Sequence, residues 1–243
     1  MPKQHLGLFS ASPEDEKRSH LERYASQLRC VEINSSFHRP HRRATWERWA
    51  AVTPDDFRFA VKAPKAVTHT AKLVNSGGAL LEFFEAVHGL GEKLGPVLIQ
   101  LPPKLAFDEG AAQEFLSTMR ELHTGSAVLE PRHASWFTAV ADRLLRSFQI
   151  ARVAADPPKG SELAAQPGGW HGLRYWRLHG SPRTYYSDYD ERWLQAFAER
   201  SLSHENRPGE TETWVIFDNT ALGHATGNAM WLDDALRREH AGG

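Results

Sequence analysis

Eight short β-type runs alternate with helical patterns along this chain, and that alternation limits its fold more than any other feature. The runs are His5–Ser10, Cys30–Phe37, Arg58–Ala63, Pro96–Leu101, Ala127–Arg132, Ile150–Ala155, Leu173–Gly180 and Thr213–Asn219. A helix start is expected at Ser12-Pro13-Glu14-Asp15 (cap, proline, first-turn acids), and Leu21, Tyr24, Ala25 and Leu28 follow it at helical spacing. Further helices are expected around Trp46, Trp49 and Ala50, over Leu80–His88, from Asp108 to Leu122, from Ser135 to Phe148, around Trp193, Leu194 and Phe197, and over Ala225–Arg238. Strands joined through helices run parallel, because only a long crossover returns the chain to the same edge. Eight such units in 243 residues predict an α/β fold: one (β/α)₈ TIM-type barrel over residues 1–243, with its site at the C-terminal face. An open doubly wound sheet is the alternative, weakened by the lack of a GxGxxG or Walker-type loop. Asp156–Gly169, rich in Pro and Gly, reads as a surface loop.

The net charge of −1 argues against a nucleic-acid binder that uses its whole surface, but leaves room for a local basic patch. Cys30 is the single cysteine, so no internal disulfide forms, and a reducing, cytoplasmic setting is expected. No run approaches the ~18 apolar residues of a membrane span, so no membrane partner is expected.

The strands end on polar residues: Glu32 and Asn34, Lys62, Gln100, Glu130 and Arg132, Asp156, Arg177 and His179, then Asp218, Asn219 and Thr220. Side chains alternate across a strand, so Glu32 with Asn34, Glu130 with Arg132, and Arg177 with His179 share a face, while Val31, Ile33, Pro131 and Leu178 face the helices. Polar groups inside a barrel are costly unless paired or solvated. They therefore predict either a site at the barrel mouth or a buried ion-pair network that merely closes it. The loop His38-Arg39-Pro40-His41-Arg42-Arg43 adds three arginines to the same rim, with Lys65, His69 and Arg183. Such a mouth attracts anions. Phe37, Trp136, Tyr185 and Tyr186 follow strand ends and suit a sugar or base. The helix opening after Gly223-His224 is a further anion candidate, with Asn228 in its first turn. HExxH, CxxC and GxSxG are absent, and His38-x-x-His41 is too weak a spacing to assign a metal. No cofactor is identified.

The motifs VEINSSF (31–37), RFAVKAPKAVTH (58–69), LGPVLIQLPP (94–103), LEPRHASWF (129–137), YWRLHG (175–180) and FDNTALGHATGNA (217–229) resemble the YecE-like family of (β/α)₈ barrel proteins, whose biochemical function is unassigned. The resemblance implies a polar signature on Glu32, Asn34, Lys62, His69, Gln100, Glu130, Arg132, His133, Trp136, Arg177, His179, Asn219, Thr220, His224 and Asn228. The chain departs from it at Phe9-Ser10-Ala11-Ser12, where the family has a Gly-Trp segment. His38, Pro131 and Asp218 stand where Tyr, Phe and Asn are usual. A shared fold does not fix chemistry.

The favoured reading is an enzyme acting on an anionic small molecule, of the phosphorylated sugar or nucleotide kind, by hydrolysis, isomerisation or C–C/C–O cleavage. In it Arg132, Arg177 and the 38–43 loop hold the anion, with Asn34, His69, Gln100, Trp136, Asn219, His224 and Asn228 as further ligand contacts. Glu130 or Glu32 is the general base, and His179 or Lys62 the general acid or electrophile. Lys62 could alternatively form a Schiff base. The rival readings are a non-catalytic nucleotide or single-stranded nucleic-acid binder, and a structural barrel with internal ion pairs.

Overall fold

The computed structural model describes residues 18–202 and 211–241. The expected first run, His5–Ser10, and the expected helix start at Ser12 lie outside them. In chain order the helices are α1 (His20–Ala25), α2 (Arg43–Ala51), α3 (Gly77–Val87), α4 (Glu109–Leu122), α5 (Ala139–Ser147), α6 (Glu191–Leu202) and α7 (His224–Ala241). The strands are β1 (Cys30–Ile33), β2 (Arg58–Lys62), β3 (Leu94–Gln100), β4 (Ala127–Glu130), β5 (Ala151–Arg152), β6 (Ala154–Asp156), β7 (Gly168–Gly169), β8 (Leu173–Leu178) and β9 (Glu212–Phe217).

Parallel pairing runs β1-β2-β3-β4-β5 and, beyond Val153, β6-β8-β9. β5 and β6 are two parts of one stretch, and between them the Val153 N–H still donates to the Leu129 carbonyl at 2.9 Å. Among the described residues no ladder joins β9 back to β1, so the strand order is open there. The Asp156–Gly169 connection is more ordered than a plain loop: Ser161 caps a 3₁₀ turn at Glu162–Ala165, and β7 pairs antiparallel with β5.

The predicted two-residue alternation sorts the core. Ala60, Leu98, Val128, Ala151, Leu173, Tyr175, Trp214 and Ile216 form an interior cluster on one face of the strands. Their neighbours Phe59, Val61, Val97, Ile99, Ala127 and Leu129 belong to the larger core that also takes in Phe83, Phe84, Phe115 and Leu116 of α3 and α4. Trp176, Leu178 and Phe217 pack with Leu194 and Phe197 of α6. Running along the interior parity toward the C-terminal ends, apolar residues give way to Glu32, Lys62, Gln100, Glu130 and Arg177.

Helix termini follow local chemistry. Ser19 and Glu22 form a reciprocal capping box, Asp108 accepts from the Ala111 N–H at 2.8 Å, and the Thr138 hydroxyl accepts from the Ala141 N–H. The run expected at Cys30–Phe37 leaves extended structure at Ile33 and becomes a 3₁₀ turn over Ser35–Phe37. The Ser36 hydroxyl ties that turn to the Lys62 carbonyl at 2.7 Å, which brings Phe37 beside the end of β2.

Candidate functional site

Arg177, near the end of β8, sits at the centre. Its side chain is 1% exposed, and its guanidinium is shared among three carboxylates. Nε and Nη2 donate to Glu32 at 3.0 and 2.7 Å, Nη1 donates to Glu130 at 2.7 Å, and Nη2 also reaches Asp218 at 3.0 Å. Glu32 additionally accepts from the Tyr175 hydroxyl at 2.9 Å and the Asn34 amide at 2.8 Å. Glu130 also accepts from the Gln100 amide at 2.9 Å and from Arg132, whose Nε and Nη2 fork onto Oε1 at 3.0 and 2.9 Å. Such charge-assisted, bidentate contacts are the strong class of hydrogen bond. Burial alone would raise the Glu130 carboxyl, but Arg177 and Arg132 outweigh it and hold the group well below the usual carboxylate range.

Glu130 and Glu32 each carry four hydrogen bonds, the pattern of a buried ion-pair network. Four of the five N–H donors of Arg177 are taken by carboxylates.

His179 lies one residue past β8. Its Nδ1 is 3.1 Å from Asp218, and its Nε2 stands 3.8 Å from Glu130, beyond hydrogen-bond length, with no hydrogen-bond partner among the described residues. Burial would depress this histidine, but the bond to Asp218 and the nearby Glu130 charge hold it above its ordinary value. Arg177 and His179 in turn lower Asp218 against the opposing effect of burial.

Lys62 differs from all of these. It is half-buried at the end of β2, and its Nζ lies 4.4 Å above the Phe37 ring. It makes no ion pair or hydrogen bond with any described residue. Burial, reinforced by the Arg177 and Arg132 charges, pulls its ammonium down to about 8, although Glu130 and Glu32 oppose the shift. His69 belongs to the same edge. Its ring meets Phe37 at 4.9 Å, and burial together with Lys62, Arg132 and Lys65 lowers its basicity. His69 is carried by a π-helical turn, Ala66–Thr70, which is followed by left-handed backbone at Lys72, Leu73 and Asn75. Irregularities of this kind recur at functional sites.

The remaining expected ligand contacts have other work. Asn219 is fully buried, and its amide donates to the Ser187 carbonyl at 3.0 Å and to Asn228 Oδ1 at 2.8 Å. Asn228 donates to the Tyr189 carbonyl, and the Tyr189 hydroxyl joins Asp156 to the Gly180 N–H. This network holds the segment 180–189 over the strand ends. Gly180 is required there: its φ is +87°, and a Cβ would meet the Ser187 carbonyl oxygen at 2.7 Å. Tyr185 keeps a left-handed φ of 71°, with its N–H on the His179 carbonyl and its ring edge-on to the imidazole. Trp136 is buried, bonded to the Leu105 carbonyl and packed on Phe107. His224 opens α7 but faces Asp188 at 3.4 Å, a poor neighbour for an anion.

Sequence reasoning left two members of the network out of the site, Tyr175 and Asp218. Both were findable: Tyr175 shares its parity with Arg177, and Asp218 shares its parity with Ile216. Tyr189 carried no such signal, because it lies in a loop. No group of three or more His, Cys, Asp or Glu able to hold a metal occurs among the described residues. No helix among them is long and apolar enough to cross a membrane. Burial pushes the Cys30 thiol up to about 12, outside the range of a nucleophile.

Residues 3–242 match the family described as "Protein of unknown function DUF72". The chain is 32% identical over 119 residues to the UPF0759 protein YecE of Escherichia coli K12, a match covering 48% of this chain and 43% of that protein. The matched stretch thus spans less than half the length of that relative. It is 23% identical to the UPF0759 protein YunF of Bacillus subtilis 168, covering 95% of this chain and 91% of YunF. Its fold resembles the crystal structure of a DUF72 family protein from Enterococcus faecalis V583, with a TM-score of 0.78, 19% identity and coverage of 96% and 92% of the two chains. A DUF72 family protein from Thermotoga maritima MSB8 follows at a TM-score of 0.69 and 26% identity, covering 86% of this chain and 85% of that one. Sequence and fold agree across nearly the whole length, and the chain belongs to this YecE-like family of unknown function.

Proposed function

We propose that the mouth above this network binds an anionic small molecule, of the phosphorylated sugar or nucleotide class, and acts on it as a hydrolase, isomerase or lyase. The supporting observation is a charge imbalance between two layers. In the lower layer three carboxylates, Glu32, Glu130 and Asp218, face two guanidiniums and the imidazole of His179. Lys62 and Lys65, with the ring of His69 beside them, make no ion pair among the described residues and lie near the partly exposed Arg132. Cations in a cleft of restricted solvation raise the local concentration of anions. His179, with a free Nε2 and Asp218 behind it, is the general acid of this reading. The reading includes a closed barrel. It is supported by one cleft lined both by Val31 and Glu32 of β1 and by Val215 and Phe217 of β9.

Calorimetry with inorganic phosphate tests the proposal. Arg132→Ala is expected to weaken binding by about 2 kcal/mol, roughly thirtyfold, the size of a charge-assisted contact. Unchanged affinity in that variant, or no binding by the wild type, removes the anion site. A second reading, a single-stranded nucleic-acid binder, draws on Arg183 stacked 3.9 Å over the exposed Tyr186 ring. A steep fall of oligonucleotide affinity with salt would favour it.

A further inference from the structure

Lys62 is superfluous to the network it stands beside. Three carboxylates balance Arg177, Arg132 and a protonated His179, so the buried charge closes without a lysine. A lysine kept only as a counter-ion would be expected to touch a carboxylate. Lys62 instead lies over an aromatic face, with the Arg177 and Arg132 guanidiniums as well as the Glu130 and Glu32 carboxylates in Coulombic range but none of them in ion-pair contact. Its Nζ rests 4.4 Å from that ring's centroid and makes no hydrogen bond to a described residue. These are the surroundings in which a lysine serves as a nucleophile: desolvated, next to other cations, and unpaired.

Resting on the reading of the mouth as an anion site, we propose that Lys62 condenses with the aldehyde or ketone carbonyl of an anionic ligand whose charged group sits at Arg132 and His69. The neutral amine adds to the carbonyl carbon, forming the C–N bond as the carbonyl π pair moves to oxygen. A proton passes from nitrogen to that oxygen and gives a carbinolamine. Protonation of its hydroxyl, with the His179 imidazolium as the acid, allows the C–O bond to break and water to leave. The product is an iminium ion, with no change of oxidation state, and hydrolysis reverses every step. The iminium restores the positive charge that the two guanidiniums disfavour on free Lys62, and the ligand's own anionic group supplies the missing counter-charge. The ammonium, lowered to about 8, leaves a substantial fraction of neutral amine near pH 7.5, whereas an exposed lysine at its usual value leaves about a thousandth.

The test uses the full chain, glycolaldehyde phosphate and sodium cyanoborohydride, which delivers hydride to an iminium carbon and leaves a stable secondary amine. Intact mass and peptide mapping should show one adduct per chain, at Lys62. It should form at least about tenfold faster than on any other lysine, as expected for a desolvated amine, and inorganic phosphate should suppress it. Lys62→Arg, which keeps the positive charge but has no primary amine, should abolish that adduct. Labelling spread over the surface lysines, with calorimetric phosphate binding intact, overturns the imine and leaves the anion site standing. Labelling at Lys62 that phosphate does not suppress overturns the anionic class of ligand. Scattered labelling together with no phosphate binding overturns both.

Discussion

Arg177 and Lys62 are two cations on the same interior face of the same strand set, and their surroundings are opposite. Arg177 meets three carboxylates at 2.7–3.0 Å, while Lys62 meets an aromatic ring and makes no ion pair with a described residue. A guanidinium spreads its charge over a planar fork and can stay charged in a dry interior if every donor is used. An ammonium left unpaired responds by losing its proton. Residue type and strand position are nearly equivalent at the two sites. The two differ in the number of acceptors within reach.

The largest effect that can break this comparison is expected at Glu130. Glu130→Gln keeps size and one acceptor but removes the charge that both Arg132 and Arg177 share. Losing one partner of a buried pair costs roughly 3–5 kcal/mol, and about 1 kcal/mol moves the melting point of a domain this size by 2–4 °C. Calorimetric melting should fall by about 10 °C or more. A wild-type-like Tm would return Glu130 to the candidates for general base.

An intermediate effect is expected in the network that holds residues 180–189. Asn219→Ala strands the Ser187 carbonyl and Asn228 Oδ1, at a cost of about 1–3 kcal/mol. Melting should drop by around 5 °C, and limited proteolysis should begin within 181–188. A variant that melts lower yet resists cleavage there would mean that the asparagines support α7 rather than the loop over the mouth.

The smallest effect has the opposite sign. Lys62→Met is expected to stabilise, because a partly desolvated cation is removed from a place that disfavours it. After discounting for its remaining solvent contact, the gain is about 1 kcal/mol, a few degrees, at pH 7. The sign follows from linkage. The folded state holds the Lys62 proton less tightly than the unfolded chain, so the penalty is full below about 8 and disappears as pH rises toward the unfolded value. The difference in Tm between variant and wild type should therefore shrink between pH 8 and 10.5. A destabilised Lys62→Met protein at pH 7 would show that Lys62 is a structural counter-ion after all.

The sequence by itself determined the alternation of strands and helices, the parallel sense of the strands, and which side chains face inward. These follow from periodicities of two and 3.6 residues, which are properties of the backbone. Glu32, Lys62, Gln100, Glu130 and Arg177 could be gathered on one face for that reason, and Tyr175 and Asp218 were available by the same count. The strand ends were read a few residues long. Arg132, His179 and Asp218 lie just past β4, β8 and β9, because ladder pairing stops before side-chain parity does. Only the tertiary structure decided which of the gathered charges are satisfied. Pairing Glu32 with Arg177 across 145 residues, or Asn219 with Ser187 across 32, depends on distances of a few tenths of an ångström between elements that sequence spacing does not relate. Asn219, Asn228 and Trp136 stand out as polar and aromatic residues in one dimension, and only in three do their bonds to the Ser187, Tyr189 and Leu105 carbonyls become visible. Lys62 looks like one more strand-end cation, and it makes no ion pair with any described residue.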